Sequence, residues 1–314
     1  MRTPVGCLFP GGLTVKYIKP PLSFDEQIAL LQSRGMEIPD HARASRYLSH
    51  INYYRLRAYW LPFEAGVSDG HSFQPGTTFD SALTLYVFDR KFRLLTLEAI
   101  ERVEVSLRTR FAYVLALRYG SHAFMDDRLF RSREFHRQLL KNLQEEIGRS
   151  QETFIEHYRN TYDDPPLPPI WVACEVMSFG QLSKWFQNLK NRHDRKSMAD
   201  AYGIDERALG SFLHHLTHVR NLVAHHCRLW NRKLTVTMTI PRHPRPLQAS
   251  CNAEAERQIY NTLAMLSYLL RLISPGTSWP ARMQQLMEDY GGIDMVAMGF
   301  PANWRDLPVW RENP

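Results

Sequence analysis

Cysteine is sparse in this 314-residue chain: Cys7, Cys174, Cys227 and Cys251 stand far apart. None belongs to a Cys-x-x-Cys pair, which excludes a zinc ribbon or a thioredoxin-type redox site. A chain of this length can bury a sizeable core without a disulfide framework. Long hydrophobic runs are missing as well. The most apolar stretch, residues 263–273, is too short to span a bilayer and carries Arg271. Residues 1–12 have one arginine but no continuous apolar core ahead of Pro10-Gly11-Gly12, so they do not read as a secretory signal. These absences predict a cytoplasmic protein with no membrane partner. Internal repeats and low-complexity tracts are also lacking. Acidic residues are in the minority, 32 against 39 Lys and Arg, giving a formal charge of +7 alongside 13 histidines. The pI is about 9.3. This moderate basic excess fits a polyanionic partner and equally fits a solvated surface, because net charge reports on association and not on fold.

What is present is mostly helical periodicity. Residues 1–22, ending in Lys19-Pro20-Pro21, read as an arm. Ser23 with Glu26 forms a capping-box signature for a first helix that stops at Gly35, and Asp40 caps a second. Residues 52–64 are dense in aromatics and arginines, and residues 66–76 form a polar loop. Residues 81–119 contain no proline or glycine and repeat Ile100, Val103, Leu107, Phe111 and Val114 at three and four, which predicts a long amphipathic helix, continuous or broken once. Helical period continues over 134–158, a proline-rich connection covers 163–169, and a strongly apolar helix is predicted over 170–189. Another helix starts at Gly203-Ile204-Asp205 and runs to about Leu229. Residues 235–240 alternate briefly and suggest a strand, and a final long helix covers 253–273. The expected fold is all-α, a helical bundle with additional N-terminal helices. Its divisions are an arm (1–22), an N-terminal helical region (23–75), a helical domain (76–274) and a C-terminal extension (275–314).

The chemistry concentrates on the helix that starts near Asp205. Leu209, Phe212, Leu213, Leu216, Val219, Leu222 and Val223 form its apolar stripe. His214, His218, Asn221 and His225 follow one another at offsets that bring all four to one other face, and Arg220 lies beside it. Such a group suits metal-independent phosphodiester transfer. A neutral imidazole can take the proton of a ribose 2′-hydroxyl or protonate the departing 5′-oxygen. An arginine can hold the non-bridging oxygens and stabilise the added charge of the transition state. Asn221 can fix the imidazole tautomer or orient the phosphate. RNA is the expected substrate because its 2′-hydroxyl supplies the nucleophile. Spacing alone is weak, since Arg34/His41, Arg43/His50, Arg131/His136 and Arg207/His214 offer similar intervals. Context separates Arg220/His225 from these: the asparagine, the apolar residues 222–224, and the following His226-Cys227-Arg228-Leu229-Trp230-Asn231-Arg232.

That extended string, from Arg220 to Arg232, resembles the signature of the Abi family (AbiD/AbiF type) of bacterial abortive-infection proteins. The resemblance extends to Lys19-Pro20-Pro21-Leu22-Ser23, to Ile51-Asn52-Tyr53-Tyr54-Arg55-Leu56, and to Ile100-Glu101-Arg102-Val103-Glu104 through Arg108. It implies a HEPN-type helical domain, in which an R-N-x-x-x-H motif forms a metal-independent endoribonuclease site that usually works across a dimer. Carried over by position, the catalytic residues are Arg220, Asn221 and His225, with no cofactor and no metal. A single motif of this kind then implies a homodimer with two copies of the helix near the two-fold axis.

Each candidate has a plainer alternative. His226 is as well read as structural as it is as a second catalytic or RNA-contacting group. His214 and His218 have the spacing of helical metal ligands, but no cysteine or acidic residue completes a set, so structural or RNA-contacting roles are preferred. Arg228, Arg232 and Lys233 are the candidates for phosphate contact. Glu104 and Arg108 read first as a solvated helix pair of roughly 0.3–0.5 kcal/mol. The alternative is that Glu101 or Glu104 faces the catalytic helix and orients Arg220. Tyr53 to Trp60 could stack bases, yet core or interface packing is the stronger reading. A different function class is an RNA-binding module that captures a structured small non-coding RNA, which then controls or silences the site. A weaker one is a scaffold that dimerises through the histidine stripe.

Overall fold

A computed structural model describes residues 19–66 and 71–311. Most of the predicted arm, Cys7 with it, and part of the loop over 66–76 lie outside the described residues. Among those described, thirteen α-helices and no paired strand are present: α1 Phe24–Ser33, α2 His41–His50, α3 Tyr53–Trp60, α4 Phe79–Tyr119, α5 Arg133–Arg149, α6 Thr153–Thr161, α7 Ile170–Val176, α8 Phe179–Asn188, α9 Arg192–Asp200, α10 Glu206–Ala224, α11 Arg245–Ala249, α12 Tyr260–Ile273 and α13 Trp279–Asp289. The protein is all-α. The chain divides into two units, residues 1–86 and 87–314.

In the first unit, Ser23 and Glu26 make both bonds of the expected capping box. The core joins Ile28, Leu31, Ala44, Leu48, Leu56 and Trp60 to Phe79 and Leu83. The aromatic run therefore packs inward: Tyr59 and Trp60 are buried, and Tyr53 meets Trp60 edge-on at 5.0 Å. Only Tyr54 of that run is widely exposed. Thr78 caps α4 by accepting from the Ser81 N–H at 3.0 Å. The long helix that follows is unbroken for 41 residues.

In the second unit α12 is buried almost all round, so the apolar stretch judged too short for a bilayer is a core helix. Among the described residues no helix is long and apolar enough to cross a membrane. Residues 275–311 pack into the same unit. Trp279 donates to the Leu95 carbonyl at 2.7 Å, and Trp304 meets the buried Trp310 edge-on at 5.0 Å.

Four helix boundaries differ from expectation, each for a local reason. Residues 170–189 break at Met177, where Ser178 and Gln181 form a capping box that starts α8. The run over 134–158 breaks at Ser150, which caps α5, before α6 begins at Thr153. The last long helix begins at Tyr260 and not at 253, because Asn252 bonds Asn261 and holds the intervening turn apart. Helix α10 ends at Ala224 and not near Leu229. There the His226 N–H bonds the Val223 carbonyl at 3.1 Å and the Cys227 N–H bonds the Leu222 carbonyl at 2.9 Å. These two bonds form a Schellman cap, with His226 at the left-handed position (φ 57°) that glycine usually takes.

The suggested strand over 235–240 is absent. Thr235 and Val236 form a bend, Met238 is buried, and among the described residues no second strand lies beside the segment. Side chains of α10 satisfy its polar groups instead. His215 Nδ1 donates to the Val236 carbonyl at 2.7 Å, Ser211 accepts from the Thr239 N–H at 2.9 Å, and the Thr235 hydroxyl meets His218 Nε2 at 3.2 Å.

Candidate functional site

Helix α10 holds the site because its ends and one face are fixed. Asp205 accepts from the Arg207 and Ala208 N–H groups at 3.0 and 2.9 Å, which sets the N-terminus. The helix packs closely on α8, where a Cβ at Gly210 would meet the Phe186 ring at 3.2 Å and one at Gly180 would meet Thr217 at 3.3 Å. The buried stripe is the expected one, Leu209 through Val223, with one polar member added.

That member is His215, 1% exposed. While Nδ1 donates to Val236, Nε2 accepts from the Thr262 hydroxyl at 2.7 Å, tying α10 to α12. Burial pushes its pKa down to about 4, with a smaller contribution from His218 and His214. It is a neutral structural histidine. Its stabilising effect is complete above the unfolded value of 6.5 and is lost as pH falls toward 4, because only the unfolded chain takes the proton in that window. The expected loss is about 3 kcal/mol. Denaturant unfolding of wild type and His215→Gln from pH 7.5 to 4 checks this: the variant is less stable at pH 7.5, and the gap narrows by about that amount on acidification. A constant gap contradicts it.

The opposite face carries His214, His218, Asn221 and His225. His214, Asn221 and His225 are exposed and His218 is half-buried. Partial burial, then the charge of Arg232, lowers the pKa of His218. Arg232 donates to the Arg228 carbonyl at 3.4 Å, and the Arg228 guanidinium lies 5.8 Å from the Trp230 ring centre. Lys233 is exposed. Arg232 is thus brought to the histidine face, whereas Arg228 is turned onto Trp230. His225 is the C-cap of α10 (φ −87°, ψ 14°), so it sits where the helix gives way to the left-handed turn at His226. Among the described residues no side-chain hydrogen bond links Asn221 to His225; the link is from the His225 N–H to the Asn221 carbonyl at 3.0 Å. The tautomer-fixing role considered for Asn221 is therefore not observed.

Arg220 has one charged neighbour among the described residues, Glu104 of α4, with Nε 3.9 Å from Oε2. Glu104 is 9% exposed, and its Oε1 accepts from Arg108 Nη2 at 2.5 Å. Arg108 donates also to the carbonyls of Glu175 and Met177 at 3.0 and 2.9 Å, at the break between α7 and α8. Glu104 is buried and Arg108 largely covered, so this is not a solvated helix pair, and Glu104 also faces Arg220. The carboxylate lies between two guanidiniums. It grips one tightly and leaves the other loosely paired, half exposed, with room to meet an anion.

Two residues with a part in this arrangement were not evident from sequence. Asp89 of α4 is fully buried and accepts from the N–H groups of Leu229 and Trp230 at 3.0 and 2.6 Å. It pairs with Arg93 at 3.2 Å. It anchors the segment that follows His226. The signal was the same acid–arginine spacing of four that drew attention to Glu104/Arg108. The other is His215, hidden because a histidine inside an apolar stripe reads as an interruption.

Among the described residues, no group of three or more His, Cys, Asp or Glu side chains is placed to hold a metal ion. Cys174, Cys227 and Cys251 are free thiols, and burial pushes Cys174 up to about 12.

Neither the comparison with curated proteins nor that with solved structures gives a match. The family model described as Abi-like protein matches residues 46–231, more than half of the chain, and spans Glu104, Arg108 and the Arg220–His225 segment. The chain belongs to the Abi-like protein family.

Proposed function

We propose that this protein is a metal-independent endoribonuclease of abortive-infection defence, with a HEPN-type site on α10. Family membership points to the biological setting. The observation that carries the chemistry is the pairing of Arg220 with the buried Glu104, next to an exposed Asn221 and His225 at a specialised helix end. Arg220 pairs loosely with Glu104 at 3.9 Å, and its guanidinium is partly open to solvent.

His225 then acts as general acid or base on the 2′-hydroxyl or the 5′-oxygen. Arg220 clamps the non-bridging oxygens as charge develops. Asn221 orients the phosphate. Arg232, with His218, sits where it can meet the strand beyond the site. Lys233 and Arg228 are weaker candidates for that contact, and His226 serves by its backbone conformation. The active form is a homodimer. An apolar stripe on α4 supports association: Val105, Tyr113 and Leu117 are 52%, 58% and 72% exposed, and α7 adds Trp171 at 52%.

Incubation of purified protein with single-stranded RNA in EDTA tests the reading. The expected products carry 2′,3′-cyclic phosphate and 5′-hydroxyl ends. Chelator-sensitive cutting, or ends of the opposite polarity, would overturn it. Glu104→Gln separates positioning from stability. The amide oxygen and the Glu175 and Met177 carbonyls still accept from Arg108, so the melting temperature falls only modestly, while loss of the charge facing Arg220 lowers the cleavage rate by about tenfold, more than that fall accounts for. An unchanged rate would leave Glu104 as a packing residue.

A further inference from the structure

A second basic feature lies at the other end of the same helix face. Arg131, Arg192, Arg195, Glu206, Arg207 and His214 line an open cleft of about 580 Å³. Four arginines meet one carboxylate there, and that carboxylate is already used: Glu206, 4% exposed, is paired with Arg192 at 2.5 Å. The neighbouring Asp194 is paired with Arg118 at 2.5 Å, and Asp205 spends its side chain capping α10. Among the described residues Arg131, Arg195 and Arg207 form no ion pair with any carboxylate.

Arg195 shows what this crowding costs. It is 9% exposed and donates to the Leu189 carbonyl, so it cannot swing out to water as a surface arginine would. Burial, then the charges of Arg131 and Arg192, disfavour its charged form and outweigh the opposing effect of Glu206 and Asp194. A buried guanidinium kept beside further uncompensated guanidiniums is stabilised by an anion that enters the cleft. The lining indicates which anion. Its one apolar ring, Phe186, is 3% exposed, and the only ring it presents is the imidazole of His214 at its edge with α10, so guanidiniums dominate the accessible lining. Four guanidiniums around one already paired carboxylate suit backbone phosphate, whose oxygens they can hold in a planar fork. Position indicates the source. Arg207 and His214 begin the row that continues through His218 and Asn221 to His225, and His214 to His225 spans roughly 16 Å of helix axis.

We propose that this cleft is a sequence-independent anchoring site for the phosphate backbone of the RNA strand whose scissile bond lies at Arg220 and His225. The proposal rests on RNA being the substrate of the α10 site. Its consequence is that affinity and chemistry reside at opposite ends of one helix face, so a strand must be long enough to reach both.

The test uses the full chain with His225→Ala, so that binding is read without cutting. Anisotropy of a labelled single-stranded RNA 12-mer is measured between 50 and 200 mM salt. Adding Arg131→Gln and Arg207→Gln is expected to weaken binding at least tenfold. It should also make the log–log salt dependence shallower by about 1.4, since each lost contact to single-stranded phosphate contributes about 0.7. Lys91→Gln with Arg305→Gln removes the same charge away from the cleft and is expected to change affinity less than twofold. Thermal melts confirm that each variant is folded. Equal weakening in both double variants, unchanged affinity in the cleft variant, or no RNA binding overturns the proposal. Because no step requires cleavage, a protein that binds RNA through the cleft but never cuts it leaves the anchoring site standing and removes the nuclease reading. With His225 intact, a protein that cuts normally with the cleft arginines removed and binds undiminished does the reverse.

Discussion

Arg220→Ala and His225→Ala are each expected to lose RNA cleavage while keeping the fold. For His225 the expected loss is about 100- to 10,000-fold, the range of a removed general acid or base. For Arg220 it is about 100- to 1,000-fold, that of a removed transition-state donor. Stability separates this from damage. His225 is exposed, and its side chain makes no hydrogen bond among the described residues, so its removal costs roughly 0.5 kcal/mol or less. Arg220 is half exposed, and when it is removed Glu104 keeps its closer partner, Arg108. Arg220→Lys is not expected to restore the rate, because an ammonium cannot hold two phosphate oxygens in a planar fork. Asn221→Ala should fall less than either, through KM more than kcat, if it positions the phosphate. Initial rates on labelled RNA in EDTA, with thermal melts of the same preparations, decide the matter. Wild-type rates in both Ala variants would sink the assignment, as would a rate loss that follows the melting temperature.

Much of this site could be read from the sequence because it depends on local rules. The 3.6-residue period places His214, His218, Asn221 and His225 on one face whatever the rest of the chain does, and their exposure agrees. The Ser23/Glu26 capping box and the Asp205 cap follow from side chains that bond their own helix ends. The Ser178/Gln181 box was equally present but was masked by the apolar residues on both sides. The end of α10 was not legible, because a Schellman cap is normally announced by glycine and here the left-handed position is His226. The segment over 235–240 kept the alternation of a strand, yet pairing needs a second strand, and alternation cannot say whether one exists. The burial of Glu104 and Arg108 was missed for a related reason. Spacing identifies a pair, but only the break between α7 and α8, folding over Arg108, takes it out of water.

Asp89→Ala is expected to be the most destabilising single change near the site, by about 3–5 kcal/mol. Both carboxylate oxygens of Asp89 are engaged. One accepts from the Leu229 and Trp230 N–H groups, and the other faces Arg93 at 3.2 Å. Arg93 is itself only 6% exposed, so truncation leaves a buried guanidinium without its carboxylate and two backbone donors without their acceptor. A fall in melting temperature on the order of 10 °C follows for a unit of this size. Asp89→Asn keeps an acceptor for the two N–H groups and loses only the charge, so its cost should be smaller. In Asp89→Ala/Arg93→Ala the two losses should not add, since the second removes the charge that the first strands. Loss of the anchor also reaches the chemistry. Leu229 and Trp230 hold the chain just after the left-handed turn at His226, and that turn fixes where His225 stands at the end of α10. Cleavage by Asp89→Asn, measured well below its melting temperature, should therefore fall in kcat with KM little changed, as expected for a misplaced catalytic group whose strand-binding arginines are intact. Full activity in a destabilised Asp89→Asn would show that the anchor serves the fold alone.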